Sequence, residues 1–311
     1  MKTYLIVGAG AIGSVVATQL ADQGHQVRLL SRRGTGPRHP SIELIAGDAS
    51  DLATVTTHAA SSDALFNCAS PAYHRWPTDW PPIANALLGA ATTTGSGLVT
   101  LNNLYAYGHP TGPMSPHDPL NATYEKAQVR ATMWRHAKEA HDDGRIRATE
   151  VRASDFIGPN AQSYLAQLLP RILDGKTCQV IGDVDALHSW NYTVDVARTL
   201  VTCAQDERSW GRAWHAPANP PCSVRSAIND IADVAQVAHP KITTIPTTVL
   251  RIVGLFNREV RELPTTVYQF SAPFTVDDRE TRSVFGIEPT PWRDVVKETV
   301  ASYANTGDLL V

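Results

Sequence analysis

Three glycines near the start of the chain have the spacing of a phosphate-binding turn. The run Gly8–Gly13 reads Gly-Ala-Gly-Ala-Ile-Gly, and it joins an apolar segment at 3–7 to helical apolar spacing over 11–23. The first glycine permits the tight bend, the second lets the backbone approach a pyrophosphate, and the third lets the helix pack on the strand. Free N–H groups of the helix would face the phosphates. The predicted dinucleotide contacts here are Gly8, Gly10, Ala11, Ile12 and Gly13.

Two arginines follow the second predicted strand, where the ribose of a bound dinucleotide is recognised. The sequence after residues 27–30 is Ser31-Arg32-Arg33. An NAD site carries an acidic residue there to bind the ribose 2′-hydroxyl. A carboxylate would repel a 2′-phosphate, whereas a guanidinium binds one bidentately. We therefore predict NADP(H), with NAD(H) less favoured, and take Ser31, Arg32 and Arg33 as cofactor contacts; the alternative is that both arginines are solvated on a loop.

The elements that must position these residues alternate along the chain. Strands are predicted at 3–7, 27–30, 42–45, 64–69, 97–101, 146–152 and 178–181, and helices at 11–23, 83–94, 124–142 and 160–175. This alternation predicts an α/β fold, a doubly wound parallel sheet with a smaller C-terminal substrate lobe. The predicted dinucleotide-binding domain comprises residues 1–157 plus about 178–216, and the substrate lobe comprises about 158–177 and 217–311.

Several segments together resemble the short-chain dehydrogenase/reductase superfamily, in the extended or atypical branch that contains the NAD-dependent epimerase/dehydratase domain. They are Gly8–Gly13, Gly47-Asp48, Asn67-Cys68-Ala69, Tyr107-Gly108, Val151–Pro159 and Tyr192–Ala197. The resemblance implies a Rossmann fold in which Asp48 accepts a hydrogen bond from the adenine amine. It also implies backbone contacts from the segment after strand four and a nicotinamide bordered by Ala153 to Phe156. The further predicted cofactor contacts are Ala49, Cys68, Ala69, Ser70, Asn102, Arg130, Ala153, Ser154 and Phe156.

The sequence departs from the superfamily at its catalytic residues. The superfamily uses a Ser or Thr, a Tyr, and a Lys four residues after the Tyr. Here the Ser/Thr position falls on Asn103. In the helix, one register puts Lys126 at the Tyr position and Arg130 at the Lys position, and the other pairs Tyr124 with Gln128. Neither register gives a Tyr–Lys pair, so the chain resembles atypical members without the triad.

The source of the proton is open for a reaction at a carbonyl. Lys126 could donate, since a lysine can act as an acid when burial lowers its pKa, although it could equally be a solvated helix residue. Asn103 can hydrogen-bond an alkoxide but cannot release a proton at neutral pH. The substrate itself, a phenol or ordered water could also supply the proton. Asn103, Lys126 and Arg130 are the candidate catalytic residues, with Arg130 expected to contact the ribose or a phosphate.

Two other positions disfavour a sugar-nucleotide substrate. Members that act on nucleotide sugars usually carry Asn and Arg where this chain has Asp155 and His188. Histidine lacks the bidentate fork of arginine, and an aspartate would repel a diphosphate.

Two further segments have two possible roles each. The segment 73–82 is predicted as a loop, and its tryptophans could line an aromatic pocket or only pack between lobes. Residues 248–263 show helical apolar spacing and could cap the cleft or pack in the core.

The composition excludes several classes of function. The net charge of −3 and the lack of a basic run argue against nucleic acid, and no apolar stretch is long enough to span a membrane. No signal peptide is evident and the four cysteines are scattered, so we expect a cytoplasmic protein with reduced thiols and no metal site.

We predict an NAD(P)H-dependent oxidoreductase, specifically an NADPH-dependent ketoreductase acting without Ser-Tyr-Lys on an apolar, aromatic or polycyclic carbonyl compound. It resembles atypical reductases of secondary metabolism, such as those of aromatic polyketide and antibiotic biosynthesis. The alternatives are a non-catalytic NADP(H)-binding redox sensor and a nucleotide-sugar epimerase or dehydratase. The expected partner is a small-molecule substrate, and the expected state is a monomer or homodimer.

Overall fold

The computed structural model describes residues 1–246 and 266–307. The predicted helix at 248–263 therefore lies outside the described residues. The strands are β1 (Thr3–Val7), β2 (Gln26–Ser31), β3 (Ile42–Ala46), β4 (Ala64–Asn67), β5 (Gly97–Asn103), β6 (Ala148–Ala153), β7 (Asp155–Ile157), β8 (Cys178–Ile181), β9 (Leu187–His188), β10 (Trp190–Tyr192), β11 (Ala213–His215), β12 (Cys222–Ser223) and β13 (Ile242–Ile245). The helices are α1 (Ala11–Asp22), α2 (Leu52–Ala59), α3 (Trp76–Thr94), α4 (Glu125–Asp142), α5 (Tyr164–Leu173), α6 (Thr193–Gln205), α7 (Val224–Ala235), α8 (Tyr268–Ser271), α9 (Arg279–Phe285) and α10 (Trp292–Gly307).

A seven-stranded parallel sheet forms the centre of the molecule, in the order β11-β6-β5-β4-β1-β2-β3. Both faces are covered, which explains why the strands are almost continuously apolar. In β1, Tyr4 and Ile6 pack toward α1 and α6, while Leu5 and Val7 pack toward α2 and α3. The predicted doubly wound α/β fold is confirmed.

One segment predicted as a loop is helical. Helix α3 begins at Trp76, whereas the apolar spacing predicted a start at residue 83. Pro77 lies in the first turn, where its missing N–H costs nothing, but Pro81 and Pro82 interrupt the helical hydrogen bonds. Trp76 and Trp80, one turn apart, are both buried, and burial of two large rings offsets that loss.

A second core lies beside the sheet. It is built from α5, α7, α10 and the short strands, and it contains Leu168, Cys178, Trp190, Ile228 and Val295. The sequence predicts that residues about 178–216 belong with the sheet. In the structure α6 packs on the sheet and β11 joins it, whereas β8 pairs with β13 and packs in the second core. The exact domain boundaries stay a prediction.

Candidate active site

The glycine turn joins β1 to α1 and leaves space where a pyrophosphate would lie. Gly8 has φ of +108°, and a Cβ there would come within 2.4 Å of the Cys68 carbonyl oxygen. A Cβ at Gly13 would lie 1.8 Å from the Gly8 carbonyl oxygen, so the fold itself requires both glycines. A Cβ at Gly10 would meet nothing within 4 Å. The open space lies at the amino end of α1, where unpaired N–H groups attract phosphate. These features fit a dinucleotide.

The carboxyl ends of β2 and β3 form the edge where an adenosine would lie. The Ser31 hydroxyl donates to the Thr35 carbonyl oxygen and accepts from the Thr35 N–H, which fixes the turn. Arg32 and Arg33 are exposed, and neither forms an ion pair with a carboxylate of the described residues. The Asp48 carboxylate accepts from the N–H and the hydroxyl of Ser50 at 2.9 and 2.8 Å. Of the four predicted contacts at this edge, Ser31 and Asp48 are fixed by local hydrogen bonds, and Arg32 and Arg33 are exposed.

The segment after β4 contributes mainly backbone. Cys68 is buried, and burial raises the pKa of its thiol to about 12, so the thiol stays neutral. Its carbonyl faces Gly8 across the turn. Ala69 packs partly against α3, Ala49 packs near α2, and Ser70 is exposed. Backbone contacts from this segment stay a prediction.

Helix α4 buries Lys126 and Arg130 almost completely, whereas Tyr124 and Gln128 are only partly buried. Lys126 and Arg130 are 5% and 4% exposed. Gln128 turns back to donate to the Ala122 carbonyl, and Tyr124 lies at the N-cap. Burial therefore supports the register in which Lys126 takes the Tyr position and Arg130 the Lys position.

Arg130 is held at the carboxyl end of β5. Its Nε donates to Asn102 Oδ1 at 2.5 Å, and its Nη2 donates to the Leu101 carbonyl oxygen at 2.8 Å. Its guanidinium carbon lies 4.4 Å from the centre of the Trp80 ring and 5.4 Å from that of Trp76. Burial lowers the pKa of Arg130 to about 10, so it remains a cation at neutral pH. Its Nη1 is buried and has no hydrogen-bond acceptor among the described residues.

A buried polar network continues from Arg130 across β6 to β11. The carboxylate of Glu150 accepts from Asn102 Nδ2 at 2.7 Å and from Arg152 Nε at 2.6 Å. Arg152 also donates to the Tyr107 hydroxyl, which lies 2.8 Å from His215 Nε2. Burial, and then the nearby Arg152, lower the pKa of His215 to about 3, so its ring is neutral. The side chain of Asn102, a predicted cofactor contact, is occupied by this network.

Four tyrosines gather beyond the ends of β4 and β5, with Lys126 among them. The Lys126 Nζ lies 3.5 Å from the centre of the Tyr73 ring. Tyr105 packs against Tyr73 and Tyr124, whose hydroxyl lies 3.1 Å from that of Tyr268. Burial raises the pKa of Tyr105, Tyr124 and Tyr268, so these phenols are protonated. Next to them, Asn103 Oδ1 accepts from the Tyr105 N–H at 3.2 Å.

Asp155 and His188, which the sequence analysis treated separately, bind each other. His188 Nε2 lies 2.9 Å from Asp155 Oδ2, and Nδ1 lies 3.2 Å from the Gln269 carbonyl oxygen. The imidazole is 1% exposed and stacks on Phe270. Because both ring nitrogens already have partners, His188 is a structural residue here.

The segment after β6 is ordered by a buried asparagine. Asn191 Oδ1 accepts from the Ser154 N–H at 2.7 Å, while its Nδ2 donates to the Ala216 and Pro217 carbonyls. Ala153 is buried at the end of β6, and Phe156 packs partly against the first core. Their proximity to a nicotinamide stays a prediction.

The predicted residues thus converge on one edge of the sheet, at the carboxyl ends of its strands, which is where ligands bind in doubly wound folds. Sequence reasoning missed the residues that only tertiary packing assembles: Tyr105, Tyr268, Glu150, Arg152 and His215. A signal for two of them was present, since Glu150 and Arg152 are charged residues inside a predicted buried strand.

Fold and site define a Rossmann-fold enzyme that uses a dinucleotide. The profile of the NAD dependent epimerase/dehydratase family matches residues 4–214, and the chain belongs to this family. The predicted resemblance to that branch of the superfamily is confirmed, as is the prediction of an NAD(P)-dependent enzyme.

Solved structures of similar fold cover nearly the whole chain. The Bordetella bronchiseptica enzyme WbmH in complex with NAD+ is 21% identical, with a TM-score of 0.79 over 99% of both chains. DesIV, the dTDP-glucose 4,6-dehydratase of Streptomyces venezuelae, is 17% identical, with a TM-score of 0.81 over 99% of this chain and 98% of that one. UDP-glucose 4-epimerase of Thermotoga maritima is 16% identical, with a TM-score of 0.80 over 98% and 99%. At these identities the likeness concerns the fold.

One curated protein also matches part of the chain. Shikimate dehydrogenase (NADP(+)) of Haloarcula marismortui is 28% identical in an alignment 141 residues long that covers 38% of this chain. The chain spans about half the length of that relative, 53%.

None of the helices in residues 1–246 and 266–307 has the length and apolar character needed to cross a membrane.

Proposed function

We propose that this enzyme is an NADPH-dependent ketoreductase that acts on an apolar, aromatic or polycyclic carbonyl compound without the Ser-Tyr-Lys triad. The observation that carries the proposal is the cluster of Tyr73, Tyr105, Tyr124 and Tyr268, with the Lys126 ammonium over the Tyr73 ring. Aromatic walls favour a planar apolar ligand, and protonated phenols can donate hydrogen bonds to its oxygens.

The proposed cofactor preference rests on the adenosine edge. Arg32 and Arg33 are exposed there, and no acidic side chain stands at the end of β2. A 2′-phosphate could bind to either guanidinium, whereas a ribose 2′-hydroxyl lacks its usual carboxylate partner. The partial relative from Haloarcula marismortui is an NADP(+) enzyme, which agrees with this preference. The rest of the dinucleotide would be held by the glycine turn, by Asp48, and by Nη1 of Arg130, which has no acceptor among the described residues.

The reaction needs a hydride, which a bound nicotinamide would supply, and one proton for the carbonyl oxygen. Asn103 can orient that oxygen by a hydrogen bond, and Lys126 is the first candidate for the proton. Tyr105 adds a phenol beside them. With substrate bound, the aromatic wall around the buried Lys126 would keep water from the reacting carbon and so favour hydride transfer over side reactions.

The test measures NADPH oxidation with a panel of cyclic aromatic ketones and quinones. We expect turnover in the wild type, a loss of about 100-fold or more in kcat for Lys126→Ala, and little change for Lys138→Ala on the exposed side of the same helix. Full turnover by Lys126→Ala would remove Lys126 as the acid and leave Tyr105, substrate or water. Cofactor binding with no turnover on any compound would favour a redox sensor instead.

A nucleotide-sugar epimerase or dehydratase is the second candidate, supported by the family and by the fold of DesIV and UDP-glucose 4-epimerase. The Asp155–His188 pair weakens it, because the buried imidazole cannot bind a diphosphate and the carboxylate repels one. Calorimetry with UDP-glucose and dTDP-glucose on the NADPH complex decides. A Kd below about 100 μM, which corresponds to a binding free energy of roughly −5.5 kcal/mol, would favour this candidate over the ketoreductase.

A further inference from the structure

The buried network around Glu150 carries one more positive than negative charge. Glu150 is 0% exposed, Arg152 2% and Arg130 4%. Both carboxylate oxygens of Glu150 are used, one by Arg152 and one by the neutral amide of Asn102. Arg130 donates only to uncharged oxygens of Asn102 and Leu101. The other members, Tyr107 and His215, are neutral, so the charge of Arg130 is not balanced within the network.

This excess charge lies on the half of the sheet that would hold the nicotinamide. The glycine turn follows β1, and the strand order places β2 and β3 on one side of it and β4, β5 and β6 on the other. The adenosine contacts follow β2 and β3. A bound nicotinamide would therefore extend over β4 to β6, and Arg130 is fixed at the end of β5. Its Nη1 has no hydrogen-bond acceptor among the described residues, so the guanidinium still has a donor available for a ligand.

We propose that Arg130 makes the site select the reduced over the oxidised dinucleotide. The nicotinamide ring is uncharged when reduced and carries one positive charge when oxidised. A fixed cation beside the ring therefore opposes only the oxidised form, and a partly buried site screens that repulsion less than water does. The inference rests on the proposed function, and it assigns to Arg130 a specificity role distinct from proton transfer.

The first experiment uses the wild-type protein and four ligands. Calorimetry without substrate gives Kd for NADPH, NADP+, NADH and NAD+. We expect the reduced form to bind on the order of tenfold more tightly in both pairs, because the 2′-phosphate lies at the other end of the molecule. Equal affinities, or tighter binding of the oxidised form, would overturn the inference.

Variants then assign the preference to Arg130. Arg130→Met is expected to reduce the preference toward unity, and Arg130→Lys to retain it because the charge remains. Arg32→Gln is the matched control at the adenosine end, since it should weaken NADPH and NADP+ equally and leave their ratio unchanged. A folded Arg130→Met that keeps the full preference would contradict the role of this charge. If Arg130→Met does not fold, the wild-type ratios and Arg130→Lys still decide.

The two proposals fail in different ways. If no dinucleotide binds, the proposed function fails and this inference fails with it. If NADH binds as well as NADPH, the proposed cofactor preference fails, but the ratio of reduced to oxidised forms still tests Arg130. If the ratios are one while NADPH supports ketone reduction, only this inference fails.

Discussion

The two halves of the proposed cofactor edge, one for the adenosine and one for the nicotinamide, are built by different means. The adenosine half consists of backbone turns and exposed side chains: the glycines, Arg32, Arg33 and Asp48. The nicotinamide half is formed by buried side chains that bind one another, with Arg130, Glu150 and Arg152 almost entirely removed from water. Backbone geometry fixes the first half locally, whereas the second depends on contacts between β5, β6, β11 and α4. We therefore expect the adenosine half to be sensitive to added atoms and the nicotinamide half to be sensitive to the removal of a charge.

The largest expected effect comes from adding a methyl group to the backbone-built half. Gly13→Ala would place its Cβ 1.8 Å from the Gly8 carbonyl oxygen, so the turn must move and measurable dinucleotide binding should be lost. Gly10→Ala is the matched variant, since its Cβ meets no atom of the protein. We expect it to leave the thermal midpoint unchanged but to weaken binding about tenfold by crowding the phosphates. Equal effects of the two variants on thermal stability would contradict this account of the turn.

The next largest effect comes from removing a charge from the network. Glu150→Gln leaves Arg130 and Arg152 buried without a carboxylate, and breaking a buried pair in this way typically costs about 3–5 kcal/mol. Urea unfolding of the cofactor-free protein measures it. Glu207→Gln is the control, because Glu207 pairs with Arg147 at the surface with 80% of its side chain exposed. A loss for Glu150→Gln as small as that for the control would show that the network does not stabilise this half.

The same difference explains how far the sequence can predict the site. The glycine turn was predictable because its three positions are adjacent and backbone sterics dictate them. The network was not, since the sequence shows Glu150 and Arg152 two residues apart but not that Asn102 and Arg130 meet the carboxylate. In α4, both catalytic registers fit a helix equally well, and only burial against the sheet separates Lys126 from Gln128.

The fold could be predicted to a similar extent. The predictions that were wrong or incomplete also depended on tertiary contacts. Periodicity and flanking glycines located six of the seven strands of the central sheet, all except β11, because a buried parallel strand is continuously apolar. The start of α3 was missed, since its prolines indicate a loop and the burial of Trp76 and Trp80 that overrides them is a tertiary effect. The strand at 178–181 was located, but its pairing with β13 depends on a partner more than 60 residues away.

A smaller effect should appear at the far end of the network on acidification. His215 has its pKa lowered to about 3, against about 6.5 when unfolded, so only the unfolded state takes up a proton as the pH falls from 6.5 toward 3. Stability contributed by this histidine is therefore complete above pH 6.5, and about 2 kcal/mol of it should be lost by pH 5.

Urea unfolding of wild type and His215→Gln at pH 7 and pH 5 measures this loss. The variant should lose about 2 kcal/mol less than wild type over that interval. His239→Gln, at a half-exposed pair with Asp233, should behave as wild type. An identical pH dependence of wild type and His215→Gln would mean that the folded state does not keep His215 neutral over this pH range.

The smallest expected effect is in the adenosine half. It tests whether the exposed side chains there add to the binding energy that the backbone supplies. Arg32→Gln should weaken NADPH binding about tenfold, or 1.4 kcal/mol, because one charge-assisted contact to the 2′-phosphate is lost. NADH binding should not change, since NADH lacks that phosphate. Arg145→Gln, at a surface pair with Asp143 before β6 and therefore at the opposite edge of the sheet, is the control. Equal affinity of the wild type for NADPH and NADH would mean that Arg32 is only solvated, and the adenosine half would then recognise its ligand through backbone alone.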